Sequence, residues 1–280
     1  MLPSVAVIIP TYNRAALLER AVQSVLGQTF GDFELVIVDD GSTDGTAELP
    51  VFKNSDPREP RLRYVRLPEN RGVSAARNAG VTATAAPLIA FLDSDDEWLP
   101  EKLRQQVRWI MEHPDMHIVQ TREIWIRRGT RVNPPKTHEK FEGDLFAASL
   151  ERCMITPSSV MLRRTLFQRM GGFNESLPAC EDYDLWLRVT CRCPAGLVDE
   201  YLLKRYGGHA DQLSATVPVL DRFRIQSVID LLANNVLTEE QKVLARKNLL
   251  KRAHIVAQGY KKHGKTEEYE KYQEIIAHYG

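Results

Sequence analysis

Four acids crowd five positions at residues 93–97, where the apolar run that opens "IAFLDSDDEWLP" ends in Asp93, Asp95, Asp96 and Glu97. Two carboxylates about 5 Å apart at an effective dielectric near 20 repel by roughly 3 kcal/mol, so such a cluster needs open water or a cation. Asp93 and Asp95 are two residues apart, which in an extended backbone turns both side chains to one side and Ser94 to the other. That pair suits one hard divalent cation held through oxygen, with positions left for water and phosphate oxygens. The same acids would equally serve as a solvated cap on a helix starting near Pro100, a residue suited to a first helical turn.

A second acidic group, "CEDYDLWLRV", places Glu181, Asp182 and Asp184 at the start of a helix whose Leu185, Trp186 and Val189 supply an apolar face. The helix dipole and free amides favour a carboxylate there, and capping alone would account for it. The chemical reading is a general base, an ionised aspartate that takes the proton of an attacking hydroxyl. Two further polar stretches, "PTYNR" from Pro10 and "DDGSTDGT" from Asp39, also follow apolar runs. The second is rich in turn and N-cap residues and alone would be read that way.

These stretches need elements to carry them. Apolar runs at 5–10, 33–40, 62–67 and 87–93 read as strands, two of them apolar at nearly every position, as in a parallel sheet covered on both faces. Between them, residues 14–28 place Leu17, Leu18, Val22, Val25 and Leu26 on one helical face, and a small-residue helix starts at residue 73. Strand and helix in alternation predict a doubly wound α/β sheet, whose ligands sit beyond the carboxyl ends of the strands. Three such ends are polar, which turns three separate turns into one candidate site.

After residue 97 the rhythm changes: a helix from near Pro100, a strand at 117–128, and a long basic loop from Arg127 to Lys140 that its length marks as mobile or functional. A helix near 143–152, a strand around 158–164, a short helix to Met170, the helix from Asp182 and a strand at 196–206 complete this part. From Val217 onward only amphipathic helices are expected, one opened by Thr238 and Gln241 as a capping box.

Composition narrows the classes. The chain has 280 residues, 43% hydrophobic, and its 37 basic residues balance 37 acidic ones, which argues against a protein held to nucleic acid by charge. The N-terminus lacks the basic region of a signal peptide, and the apolar stretch at 78–92 is too short to span a membrane, so a soluble cytoplasmic protein is expected. Cys153, Cys180, Cys191 and Cys193 have neither disulfide density nor a C-x-x-C pair and read as reduced structural thiols.

The ordered set "VAVIIPTYNRAALLERAVQSVLGQTFGDFELVIVDDGSTDGT", "ENRGVSAARNAG", "PLIAFLDSDDEWLPEKL", "GGFNESLPACEDYDLWLRV" and "HADQLS" resembles family 2 glycosyltransferases of the GT-A fold, over residues 5 to about 215. The resemblance implies a GT-A domain at 1–215, divided into a nucleotide-sugar half at 1–97 and an acceptor half at 98–215, with a helical extension at 216–280. It implies an inverting transfer of sugar from a nucleoside-diphosphate sugar, foremost a UDP-sugar, to a glycan or lipid-linked acceptor in cell-envelope polysaccharide synthesis. Pro10, Thr11 and Tyr12 would line the base pocket, Asp40 would accept a hydrogen bond from the base and Asp39 would support it. Arg77 and Asn78 would approach the ribose or diphosphate. Asp93 and Asp95 would bind Mn²⁺ or Mg²⁺, with His209 reaching the diphosphate or the metal. Asp182 would be the catalytic base and Glu181 would shape the acceptor site, with Ser94 and Trp98 also at the substrate, Trp98 as a sugar platform beside the acids. Peripheral contact with the inner face of the membrane and oligomerisation through the helical tail stay open.

Three rivals remain. "GYKKHGKT" at 259–266 matches the P-loop pattern letter for letter, but it interrupts a helical tail where a strand should precede it. A binding or scaffold protein without turnover would keep the fold but has no reason to retain Asp93, Asp95 and Asp182 together. A nucleotidyltransferase would carry a Gly-rich basic loop after its first strand, and "PTYNRAALL" is not one.

Overall fold

A computed structural model describes residues 3–53, 61–208 and 217–280. The first strand, β1 (Val5–Thr11), is buried at all seven positions, because it lies between β2 (Phe33–Asp39) and β4 (Leu88–Phe91), both parallel to it. β3 (Leu62–Arg66) continues the parallel set beyond β2. Alternation along β1 sends Val5, Val7 and Ile9 to one face and Ile8 to the other. The first face packs on α1 (Ala15–Leu26) through Leu18, Ala21, Val22 and Val25, and on α4 (Lys102–Glu112) through Leu103 and Ile110. The second face packs on α3 (Val73–Thr82). Each fully buried Val, Leu or Ile side chain contributes about 1.5–3 kcal/mol, so these two faces are the main source of the domain's stability. A four-residue helix, α2 (Pro50–Lys53), follows the loop after β2.

The sheet then turns mixed. β8 (Met161–Arg163) runs antiparallel to β4 and to β6 (Ile118–Arg127), and β9 (Gly196–Gly207) lies parallel to β6. The order is β3-β2-β1-β4-β8-β6-β9-β5, where β5 is the two-residue strand Glu97–Trp98 paired antiparallel to β9. Six strands of the nine, β1 to β4, β6 and β9, run in one direction. The expected mostly parallel α/β sheet is therefore present, with an antiparallel insertion at β8. The long basic loop is shorter than expected: β7 (Thr130–Val132) folds back on β6 through Arg128 and Gly129, both at positive φ, as a two-residue hairpin requires. A single 3₁₀ turn, Lys136–His138, follows it.

α5 (Phe146–Glu151), α6 (Arg164–Arg169) and α7 (Glu181–Thr190) cover the second face. α7 is buried on two sides: Leu185, Trp186 and Val189 meet the sheet core, while Tyr183, Leu187 and Cys191 meet the C-terminal helices. Those are α8 (Asp221–Ala233), α9 (Glu239–Lys262) and α10 (Thr266–Tyr279), which bring Ile225, Val228, Leu231, Leu249 and Val256 onto α5 and α7. The expected capping box at Thr238 and Gln241 opens α9. The P-loop match at 259–266 covers the end of α9 and the turn into α10, with no strand before it. Among the described residues no helix is long and apolar enough to cross a membrane.

Candidate active site

The loops after β1 and β2 are tied to each other. Asn13 donates its amide to Ser42 Oγ at 2.8 Å and accepts from the Thr43 amide at 2.7 Å, while Asp44 accepts the Ala15 amide at 3.0 Å and so caps the start of α1. "DDGSTDGT" is thus partly the turn and cap its composition suggested. Its first two acids face inward. Asp39 takes the Ser42 amide at 2.8 Å and the Tyr64 hydroxyl and is fully buried. Asp40 takes the backbone amides of Arg71 and Gly72 at 2.9 and 2.8 Å, and burial raises its pKa despite them. Gly41 makes this approach possible: at φ +77° a Cβ there would stand 2.8 Å from the carbonyl carbon of Glu69. Asp39 and Asp40 therefore hold together the loops where the base pocket is expected. Beside them the Thr11 hydroxyl is buried without a hydrogen-bond partner among the described residues, and Tyr12 is 44% exposed, a ring open to stacking. Pro10 is the penultimate residue of β1, buried beside Val38 of β2.

The acids after β4 lie in a turn, closed by the Asp96 amide donating to the Asp93 carbonyl at 3.0 Å, instead of the extended backbone expected. Asp93 remains one-third exposed at its side chain, with one oxygen accepting from Arg77 at 2.7 Å. Asp95 accepts from Arg14 at 3.1 Å, and its carbonyl takes Arg20 at 2.6 Å. Burial and then the Asp93 charge raise the Asp95 pKa, the repulsion that a cation between them would relieve. The donor chemistry fits a hard divalent ion through Asp93 and Asp95, although among the described residues no three His, Cys, Asp or Glu side chains gather into a complete cage. His209, the other expected ligand, lies outside the described residues.

The acidic cluster divides more sharply than the sequence could. Asp96 is buried and accepts the Tyr206 amide at 3.0 Å, with its pKa raised by burial and then by Asp95 and Asp93. Glu97 pairs with Lys204 at 2.7 Å and accepts from the Tyr206 hydroxyl at 2.8 Å. Both fasten the turn to β9 and do not lead into a helix. Trp98 is a correction: it is 2% exposed, in the core, with its indole donating to the Ser158 carbonyl at 2.8 Å and Lys102 over its ring. An indole so enclosed offers no face to a sugar. Ser94 is buried as well, at 8%.

Arg77 joins the two acidic motifs. Projecting from α3, its guanidinium meets Asp93 at 2.7 Å and Glu181, at the start of α7, also at 2.7 Å. Burial works against that charge, but Asp93 and Glu181 outweigh it and raise the Arg77 pKa. Burial raises the Glu181 pKa, with Arg77 opposing and Asp182 adding to the rise. Asn78 is the second correction, since its amide group pairs with both the N–H and C=O of Phe173 at 3.0 and 2.9 Å and with Glu175 at 2.9 Å. It locks the "GGFNE" turn and has no donor left for a ribose.

Asp182, half-buried, accepts its neighbour Tyr183's amide at 2.7 Å on one oxygen and the Cys153 thiol at 3.3 Å on the other. Burial and then Asp182 push the Cys153 thiol well up, so it stays a neutral donor. Arg14, Arg20 and Ser158, whose hydroxyl takes the Asp93 amide at 3.0 Å, are not singled out by the sequence, and Cys153 reads there only as a structural thiol. Only Arg14 carried a signal, as the last residue of "PTYNR" at a strand end.

The profile described as Glycosyl transferase family 2 matches residues 6–171. The chain belongs to this family. An uncharacterized glycosyltransferase of Rickettsia felis is 35% identical over 71% of this chain but only 32% of its own length. The chain thus spans about a third of the length of that relative. The Escherichia coli UDP-Glc:alpha-D-GlcNAc-diphosphoundecaprenol beta-1,3-glucosyltransferase WfgD is 31% identical over 66% of this chain and 69% of its own. Among solved structures, Staphylococcus aureus TarS with UDP-GlcNAc superposes with a TM-score of 0.69 at 18% identity, over 97% of this chain and 90% of that one. The mannosyltransferase PcManGT from Pyrobaculum calidifontis with GDP-Man and Mn²⁺ gives 0.62 at 19%, over 100% and 84%. The GT-A fold of this family member is thereby established.

Proposed function

We infer that this family 2 member is an inverting, divalent-cation-dependent glycosyltransferase that moves a sugar from a nucleoside-diphosphate sugar to an acceptor hydroxyl. The observation that carries the reading is Arg77, whose single guanidinium holds Asp93 of the cation motif and Glu181 beside the base 2.7 Å away on either side. Donor and acceptor chemistry therefore meet at one point.

Tyr12 and the unpartnered Thr11 hydroxyl suit the nucleotide base, within loops that Asp39 and Asp40 hold in place. Asp93 and Asp95 would hold Mn²⁺ or Mg²⁺, with His209 as a further ligand. When bound, the cation supplies positive charge to the leaving diphosphate. Asp182 takes the proton of the acceptor hydroxyl while its oxygen attacks the anomeric carbon from the face opposite the leaving group. One carbon–oxygen bond forms as the bond to the diphosphate breaks, and the configuration inverts. The Tyr183 amide and Cys153 thiol fix the orientation of Asp182 for that transfer.

A UDP-sugar is the foremost donor, as the names of WfgD and the TarS complex suggest, and a glycan or lipid-linked acceptor in cell-envelope synthesis is the matching acceptor. In this reading residues 1–215 are the transferase unit, working in the cytoplasm or at the inner membrane face, and 216–280 a helical extension. The test is thermal unfolding with UDP-, GDP-, dTDP- and CMP-sugars, each with and without Mn²⁺. A UDP-sugar should raise the midpoint, and more so with Mn²⁺; no shift with any nucleotide would defeat the donor site.

A further inference from the structure

Trp125, on β6, has two guanidinium groups and an imidazole around it: Arg127 lies 5.1 Å and Arg205 5.4 Å from its ring centroid, and His138 meets it edge-on at 5.2 Å. Burial and then the Arg205 charge lower the Arg127 pKa, and burial followed by Arg152 and Arg205 lower that of His138. The two guanidinium groups therefore stand close enough to repel, and His138 stays a neutral imidazole beside them. The acid among them, Glu123, is already taken by Lys140 at 2.7 Å, the Thr156 hydroxyl, the Trp125 indole at 3.0 Å and Arg205 at 3.7 Å. Among the described residues, half-buried Arg152 has no ion pair or side-chain hydrogen bond, and the Arg127 guanidinium hydrogen-bonds the Ile126 carbonyl at 3.5 Å.

The placement of Arg127 depends on residue 207. A Cβ at Gly207 would stand 1.6 Å from its Nη1, so glycine there lets the guanidinium fold onto β9. The other acids that act on the group are Asp93 and Asp96, but Asp93 is held by Arg77 and Asp96 by the Tyr206 amide. The positive charge is in excess. Arg205 and Lys140 also act on the Cys153 thiol, the one that donates to Asp182, which sets the cluster beside the proposed base. All its members follow residue 98, in the half expected to take the acceptor, and Arg205 also feels Asp96 and Asp93 of the proposed cation turn.

We propose that Arg127, Arg152, Arg205 and His138 form an anion subsite for a phosphate group of the acceptor, a few bonds from the hydroxyl that Asp182 deprotonates. The inference rests on the transferase reading above. Two guanidinium forks over one aromatic ring, with Arg152 acting on the neighbouring His138, match the oxygens of a phosphate or diphosphate better than a single neutral hydroxyl. Neutral acceptors would lack this hold.

The test uses the full chain, first titrated with UDP and Mn²⁺ and then, saturated with both, titrated calorimetrically with hexose 1-phosphate or with the free hexose. Hexose 1-phosphate should bind about tenfold tighter or more, as charge-assisted contacts predict, and Arg127→Gln with Arg152→Gln should remove that preference while UDP affinity and thermal unfolding stay unchanged. A short-prenyl hexose diphosphate is the second arm: tighter binding than hexose 1-phosphate assigns the anion to a lipid-linked acceptor, and equal binding to a soluble one. Equal affinity for phosphorylated and free hexose, or a loss of UDP affinity in the double variant, would overturn the proposal. If UDP itself fails to bind, the transferase reading falls, and the same sugar titrations without nucleotide still decide whether the anion subsite exists.

Discussion

Asp40 and Glu123 are both buried acids, 2% and 6% exposed, and they are satisfied by opposite means. At the proposed donor end, Asp40 rests on two backbone amides, and burial leaves its pKa raised. At the proposed acceptor end, burial would also raise Glu123, but Lys140 and Arg205 pull it down to about 2. One end is built from turns that present amides to side chains. The other is built from charges brought together across β6, β9 and the segment at 138–156. Arg77 spans the two, and the comparison says what each end should tolerate.

The largest effect belongs to the joint between the ends. Arg77→Met leaves the Asp93 and Glu181 carboxylates facing a buried position without their cation, and should cost about 3–5 kcal/mol in urea unfolding. A cost below 1 kcal/mol would mean that the two motifs do not depend on that guanidinium. Next is Glu123→Gln, which strands Lys140 in the interior and should cost about 3 kcal/mol. The two ends should also respond to acid with opposite signs. Glu123 has a depressed folded pKa, so its stabilisation is present above its ordinary 4.5 and fades as pH falls toward about 2. Asp40 has a raised folded pKa, so its burial costs stability at neutral pH and that cost is relieved as pH falls through the raised value. Asp40→Asn should accordingly be milder, about 1 kcal/mol, because one amide keeps an acceptor and the charge penalty disappears. Equal losses for Asp40→Asn and Glu123→Gln would erase the distinction. The smallest effect expected is for Cys153→Ala, a few-fold fall in kcat with KM for donor unchanged, since the thiol only orients Asp182. Full activity after that change would remove Cys153 from the site.

The same contrast explains what the sequence revealed. The parallel strands, α1, α3 and the polar strand ends could be read because local pattern creates them: alternation, small residues and turn chemistry are visible within ten residues. The first face of α7 was legible for the same reason, but its second face, Tyr183 and Leu187, was not, because it needed α8 and α9 to define it. β5 escaped notice because two residues carry no period and Glu97–Trp98 is a strand only by pairing with Leu203 and Lys204. Its place beside the acids puts Trp98 at the substrate and the family resemblance puts Asn78 there, whereas Ser158 and Phe173, distant in sequence, claim them. The cation cluster around Trp125 was visible only as a basic loop. Its members converge from residues 125–205, and no local pattern records that convergence.

The central claim is that Asp182 takes the acceptor's proton at a site whose donor half is separate and intact without it. The direct measurement is acceptor-dependent release of UDP from a UDP-sugar with Mn²⁺, for the wild-type chain and for Asp182→Asn, alongside UDP binding by each. General-base catalysis contributes about 10²–10⁴-fold, so the variant should lose about a thousandfold in turnover while binding UDP with unchanged affinity. Wild-type turnover in Asp182→Asn would contradict the assignment of the base, and with it the account of how the two acidic motifs work together.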